Sequence, residues 1–154
     1  MKILIGVDGS TYSDAALEEV ARRSWPDASE IRVVHAFDLP LAPTPEIWSL
    51  PHDYYEELDR ALRRQSEAII GAAIDKLKSC LADLKIDGKA VMGSAKAVLL
   101  DEAAAWKADL IVVGSHGYPT WERLLLGSVS QAVVSHAKCS VEVVRLAHTT
   151  QAAA

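Results

Sequence analysis

The sequence is poor in the residues that would mark a secreted, metal-bound or nucleic-acid-binding protein. Only two of its 154 residues are cysteines, Cys80 and Cys139, and they show no pairing or metal-ligand spacing. Two lone cysteines suit a reducing compartment, so the expected location is the cytoplasm. The five histidines are scattered and form no ligand pattern. No stretch approaches the length needed to span a bilayer. The apolar run after Met1 is too short for a signal peptide, and Asp8 interrupts it. There is no run of Lys or Arg, and the net charge is −5, so binding to nucleic acid through phosphate neutralisation is not expected. Gly-x4-Gly-Lys-Ser/Thr is missing, which excludes a P-loop NTPase. The first strand does not lead into Gly-x-Gly-x-x-Gly, which argues against a dinucleotide site. The acidic pair and phosphoacceptor of a receiver domain are missing as well.

What is present is half hydrophobic, and at this length it suffices for one domain with a buried core. Apolar runs alternate with helical patterns. Ile3 to Val7 reads as a strand buried on both faces. Asp8-Gly9-Ser10 turns the chain, and Ser10 or Ser13 caps a helix with Ala16, Leu17, Val20, Ala21 and Ser24 on one face. Trp25-Pro26-Asp27 stops it. Ile31 to Phe37 is a second strand. The segment 38–51 carries prolines 40, 43, 45 and 51 and reads as a long loop. A helix follows from Asp53 to Leu84, with Leu58, Leu62, Ile69, Ala73, Leu77, Cys80 and Leu84 at heptad-like spacing. Its surface carries the i,i+4 pairs Glu56/Arg60 and Asp59/Arg63. Lys89 to Met92 is a short third strand, and Ser94 caps a helix to Lys107. Asp109 to Gly114 is the fourth strand, Gly127-Ser128 opens a helix to Ala137, and Ser140 to Leu146 is the fifth strand.

This alternation predicts an α/β fold, a five-stranded parallel sheet with helices on both faces and strand order 3-2-1-4-5. Residues 1–147 form the domain, and 148–154 read as a disordered tail. Ligands of such sheets bind outside the carboxyl ends of the strands, where the order reverses. Here those ends are Val7-Asp8 and Val113-Gly114.

The chemistry is concentrated in Gly114-Ser115-His116-Gly117 and, nine residues on, Gly127-Ser128-Val129-Ser130. Glycines without Cβ let a backbone approach phosphates closely. A helix start offers free N–H groups and a positive dipole end. Ser128 and Ser130 add hydroxyls. The plainer reading is that Gly114 and Gly117 only turn the chain and Ser128 only caps a helix. Asp8 could accept from a ribose hydroxyl or help hold a phosphate-bound Mg²⁺; equally, it could stabilise its own turn with Gly9. Gly6 suits either a ligand lying against the first strand or tight helix–sheet contact. Trp48 and Trp121 fall in the two loops near the mouth, where packing of the loops onto the body is their expected role.

The composite of these motifs resembles the universal stress protein family. The resemblance rests on Gly114-x2-Gly117-x9-Gly127-Ser128, the opening Ile3-Leu4-Ile5-Gly6-Val7-Asp8-Gly9-Ser10, and the ending Cys139-Ser140-Val141-Glu142-Val143-Val144. It covers the chain to about Leu146 and implies a Rossmann-like fold of the adenine nucleotide alpha hydrolase type, in the branch that binds ATP. It assigns Asp8 to the ribose and metal–phosphate region, Gly6 and Val7 to the flanks of the adenosine, and the Ala36 backbone to adenine. Val113 is assigned to the nucleoside, Gly114 and Gly117 to ribose and phosphate, and Gly127, Ser128, Val129 and Ser130 to the β- and γ-phosphates. Family members often carry Arg near His116-Gly117, whereas Tyr118 and Pro119 follow here.

The function so implied is an ATP-binding stress-response switch, with ATP, or AMP or ADP, as ligand and Mg²⁺ as a companion ion. Nucleotide would favour one arrangement of loops 38–51 and 115–126, which an unidentified protein partner reads. The alternatives are a slow ATPase or self-phosphorylating protein, using Ser128 or Ser130 with His116 as base, and a structural dimer that uses no nucleotide. A homodimer through Ser140–Leu146 is expected, since this apolar strand lies at the sheet edge and many family members dimerise there. Glu142 and Arg145 would then approach the mate's opposite charges, unless Trp106 or the tail covers the edge.

Overall fold

A computed structural model of the chain describes residues 1–38, 52–116 and 126–146. Strands and helices alternate: β1 (Lys2–Gly6), α1 (Thr11–Ala21), β2 (Glu30–Phe37), α2 (His52–Cys80), β3 (Lys85–Met92), α3 (Ala95–Trp106), β4 (Leu110–Gly114), α4 (Ser128–His136) and β5 (Ser140–Val144). The strands pair in parallel, in the order β3-β2-β1-β4-β5. This is the predicted order, and its reversal point lies between β1 and β4.

The two faces of the sheet divide the core. Ile3 and Ile5 of β1, Val33 of β2 and Val112 of β4 pack with Leu17 and Val20 of α1 and with Ala73 and Leu77 of α2. Leu4, Val34, Ile111 and Val113 point the other way, onto Leu99 of α3 and Val133 of α4. With both faces covered, β1 and β4 need apolar residues at every position, which is why they read as unbroken hydrophobic runs. Each such side chain contributes about 1.5–3 kcal/mol on burial.

Several boundaries differ from the sequence reading. β3 starts at Lys85, four residues before the expected Lys89, because charge pairs across strands support a segment that looks polar. Lys85 lies opposite Glu30, and Asp87 opposite Arg32. Their side chains meet at 2.9 Å and 2.8 Å, the opposite-charge pairing that stabilises neighbouring strands. α2 ends at Cys80 rather than Leu84, and Cys80 is exposed. Of the heptad set, Ala73 and Leu77 are buried and Ile69 packs against the core, and the buried stripe of α2 also includes Ser66 and Ile70. The predicted surface pairs Glu56–Arg60 and Asp59–Arg63 are formed. Ser10 caps α1, its side chain accepting from the Ser13 amide. Ser94 stands at the N-cap of α3 but caps only with its carbonyl, which accepts from the Val98 amide.

The edges of the sheet differ in character. The β3 edge carries Lys85, Asp87 and Lys89, whereas β5 reads Ser-Val-Glu-Val-Val. Trp106 does not cover β5. It lies on the other side of the centre, under the Arg32 guanidinium at 4.6 Å and the Lys2 ammonium at 5.4 Å. Glu142 is already engaged within its own chain, since Arg23 beyond α1 donates to both its oxygens at 2.7 Å. A mate's arginine, expected from sequence to approach Glu142, would share a carboxylate already paired within the chain. The loop prolines, Trp48, Trp121 and the tail 148–154 lie outside the described residues.

Candidate nucleotide site

Three chain segments meet at the carboxyl ends of β1 and β4. The first is the turn from β1 into α1. Asp8 follows β1, and its Oδ1 accepts from the Ser10 amide at 3.0 Å and the Ser10 hydroxyl at 2.6 Å. The Ser10 Oγ in turn accepts from the Ser13 amide at 3.2 Å. Gly9 takes a positive φ of 76° between them, a conformation that favours glycine. Asp8 thus shapes its own turn with one oxygen. Among the described residues, its other oxygen has no hydrogen-bond partner.

The second segment is the end of β4. Gly114 is glycine for a reason internal to the fold: a Cβ there would stand 2.6 Å from the backbone C and O of Tyr12, in the first turn of α1. Gly6 is likewise fixed by packing, since a Cβ would meet Leu99 and Val113 at 3.0–3.2 Å. Helix–sheet contact therefore accounts for both glycines without a ligand. Ser115 is buried, and its amide donates to the Val144 carbonyl at 2.8 Å. Its carbonyl accepts from the Gly127 amide at 2.8 Å and the Ser130 hydroxyl at 3.0 Å.

The third segment is the start of α4, with Gly127 as N-cap. A Cβ on Gly127 would come within 3.2 Å of the His116 Cα and the Ser115 carbonyl oxygen. Gln131 closes the first helical bond onto the Gly127 carbonyl. The amides of Ser128, Val129 and Ser130 have no carbonyl one turn back to receive them, and none has an acceptor elsewhere among the described residues. Ser128 is exposed, and Val129 packs on the core. Ser130 departs from expectation: its hydroxyl is buried and directed at the Ser115 and Gly127 carbonyls, so it is a brace of the loop rather than a donor open to a ligand. Ala36 of β2 lies partly buried opposite Val91, and Val7 and Val113 are core residues. Gly117 lies outside the described residues.

Sequence reasoning passed over two residues here. Ser115 organises the junction through its backbone, and no side-chain motif signals that. His35 was one of the scattered histidines, yet it continues the inward alternation Ile31, Val33, His35, Phe37, and that period of two could have found it. It is 9% exposed, and its Nδ1 has no hydrogen-bond partner among the described residues. Burial pushes its pKa down from the ordinary value, opposed by the nearby Asp8 carboxylate. An unfolded histidine titrates near about 6.5, so below that pH the unfolded chain binds the proton more readily than the fold does. This contribution to stability is whole above about pH 6.5 and is lost as pH falls toward the depressed folded value. His35→Phe is expected to shrink the drop in melting temperature between about pH 7.5 and pH 5.5. Equal drops in parent and variant, by calorimetry, would show that His35 does not carry it.

Among the described residues, no group of three or more His, Cys, Asp or Glu could hold a metal ion, and no helix is long and apolar enough to cross a membrane. Asp8 alone is a single carboxylate. An ion there would need oxygen ligands from a companion such as a polyphosphate.

Comparison with known proteins gives one consistent result. The model of the universal stress protein family matches residues 1–145. A universal stress protein of Thermus aquaticus is 30% identical over 148 residues, covering 93% of this chain and 97% of that one. The structure of the universal stress protein UspA from Lactobacillus plantarum superposes with a TM-score of 0.73 at 26% identity, covering 94% of this chain and 97% of that one. An Arabidopsis thaliana family protein with AMP bound gives a TM-score of 0.67 at 18% identity, covering 94% and 91%. A universal stress protein in complex with cAMP gives 0.59 at 23%, covering 96% and 98%.

Proposed function

Because the chain belongs to the universal stress protein family, we propose that it is an ATP-binding regulatory protein whose ligand lies across the carboxyl ends of β1 and β4. The observation that carries this reading is the open start of α4. Three successive amides, at Ser128, Val129 and Ser130, have no acceptor among the described residues, and they stand beyond the end of β4, next to the point where the strand order reverses. A helix N-terminus so placed attracts phosphate by its N–H groups and its dipole together. The AMP and cAMP complexes of two proteins of this fold support an adenine nucleotide as the ligand.

In this reading Ser128, Val129 and Ser130 hold the phosphates by their backbone amides. The second oxygen of Asp8 meets the ribose or, through the phosphates, Mg²⁺. The Ala36 backbone meets adenine, Gly6, Val7 and Val113 flank the nucleoside, and Gly114 and Gly117 line its ribose side. The nucleotide supplies a charged group whose presence a protein partner in the cytoplasm senses. Self-phosphorylation would fall to the exposed Ser128, since the Ser130 hydroxyl is turned inward.

Gly127→Val tests the site. The N-cap backbone, at φ −61° and ψ 157°, is extended and open to any residue. Valine therefore adds branched carbons to a tight contact without backbone strain. Its affinity for ATP is expected to fall at least about tenfold, or about 1.4 kcal/mol. A folded variant that binds ATP like the parent in calorimetry removes the assignment.

We also propose that the protein is a homodimer joined along β5. This edge is the less charged of the two, and a two-fold axis would set it antiparallel to its copy. Val143→Pro, which deletes a backbone donor and fixes φ, is expected to yield a monomer in light scattering. A monomeric parent at tens of micromolar would end the proposal.

A further inference from the structure

His116 is held from two sides. Its ring lies 5.2 Å from that of Tyr12, tilted by 53°, so the first turn of α1 supports one side of the imidazole. Its Nδ1 lies 3.2 Å from the hydroxyl of Ser115. Its backbone packs against the N-cap of α4, where a Gly127 Cβ would approach its Cα to 3.2 Å. The ring thus rests on the first turn of α1 while its backbone adjoins the start of α4, and both helix starts favour negative charge.

The hydrogen bond to Ser115 decides which nitrogen carries the proton. The Ser115 side chain is buried, and its Oγ has no other partner among the described residues. A buried hydroxyl that finds no acceptor costs about 1–3 kcal/mol. The arrangement that satisfies it has the Ser115 O–H donating to Nδ1. In a neutral imidazole Nδ1 is then the acceptor and Nε2 carries the hydrogen. Nε2, the remaining donor of the ring, has no partner among the described residues.

We propose that His116 is a phosphate-reading residue of the nucleotide site, donating from Nε2 to the ligand's phosphate, with Ser115 and Tyr12 as the residues that position it. The inference rests on the nucleotide-binding reading and adds to it a side-chain donor and a fixed tautomer. Base and ribose are read elsewhere, so His116 bears on the phosphates alone.

The test has a spectroscopic arm and a binding arm. Long-range proton–nitrogen spectra of the ligand-free protein are expected to show neutral His116 as the Nε2–H form. Ser115→Ala is expected to turn it into a mixture of both forms. An Nδ1–H signal in the parent overturns the proposal. By calorimetry, His116→Ala is expected to weaken ATP about tenfold while adenosine binds as in the parent. His116→Gln, which keeps a side-chain N–H donor, recovers part of the loss. Equal loss of ATP and adenosine in His116→Ala would assign the ring a packing role, and no loss would assign it none; either result overturns the proposal. A parent that binds neither ligand overturns the nucleotide reading itself, a failure distinct from one confined to His116.

Discussion

Replacing Gly114 with alanine is expected to lower the melting temperature by roughly 10 °C, the shift that corresponds to about 3 kcal/mol in a domain of this size. The added methyl would stand 2.6 Å from both the carbonyl carbon and the oxygen of Tyr12. That neighbour is backbone, so no rotamer change relieves the contact. Either α1 lifts from β4 or the end of β4 bends, and both movements disturb the junction that presents the α4 amides. Gly71→Ala provides the control. Gly71 lies inside α2 with nothing within 4 Å of its Cβ direction, so alanine there is expected to stabilise by about 0.5–1 kcal/mol through helix propensity alone. Thermal melts of the two variants should move in opposite directions. A Gly114→Ala melt within a degree or two of the parent would show that the approach of α1 to β4 is looser than described.

The second large effect is expected at Gly88. A Cβ there would stand 2.2 Å from the Ile70 Cγ2 and 2.9 Å from the Ile74 Cδ1. Here the obstacle is a side chain, so the strain is removable by mutation. Gly88→Ala alone is expected to cost about 2–3 kcal/mol by overpacking, and Ile70→Ala alone about 2–4 kcal/mol by leaving a cavity in the α2 core. The double variant should be less destabilised than the sum by about 1–3 kcal/mol, because the new methyl enters the space that the isoleucine vacates. Urea denaturation of the four proteins measures the coupling. Strict additivity would mean that α2 and β3 do not meet at this point.

Most of the fold was legible because its determinants are local and periodic. β1 and β4 announced themselves as short apolar runs, and helices between strands fixed a parallel sheet and its order. The start of β3 was not legible. Lys85-Ile86-Asp87-Gly88 looks like a loop until Glu30 and Arg32 are placed alongside it, and that pairing spans 55 residues of sequence. The candidate site was legible as a spacing, not as a geometry. Gly6 and Gly114 were marked as positions of close approach, and so they are, but the approaching atoms belong to Leu99, Val113 and Tyr12. Ser130 was marked for its hydroxyl, which the fold turns inward to the Ser115 carbonyl. Direction of a side chain is set by tertiary contacts, and a motif does not encode it. His35 shows the converse: its strand period pointed inward, while its residue type alone gave no direction.

The unequal edges of the sheet set a valence for self-association. A β-sheet with two receptive edges is divivalent in effect, able to add a copy at each end and grow into a filament. With Lys85, Asp87 and Lys89 along β3 and only Glu142 charged in β5, at most one margin of this sheet suits pairing with a copy. Joined there to its own copy, it would present only charged β3 margins outward, and growth would terminate at two.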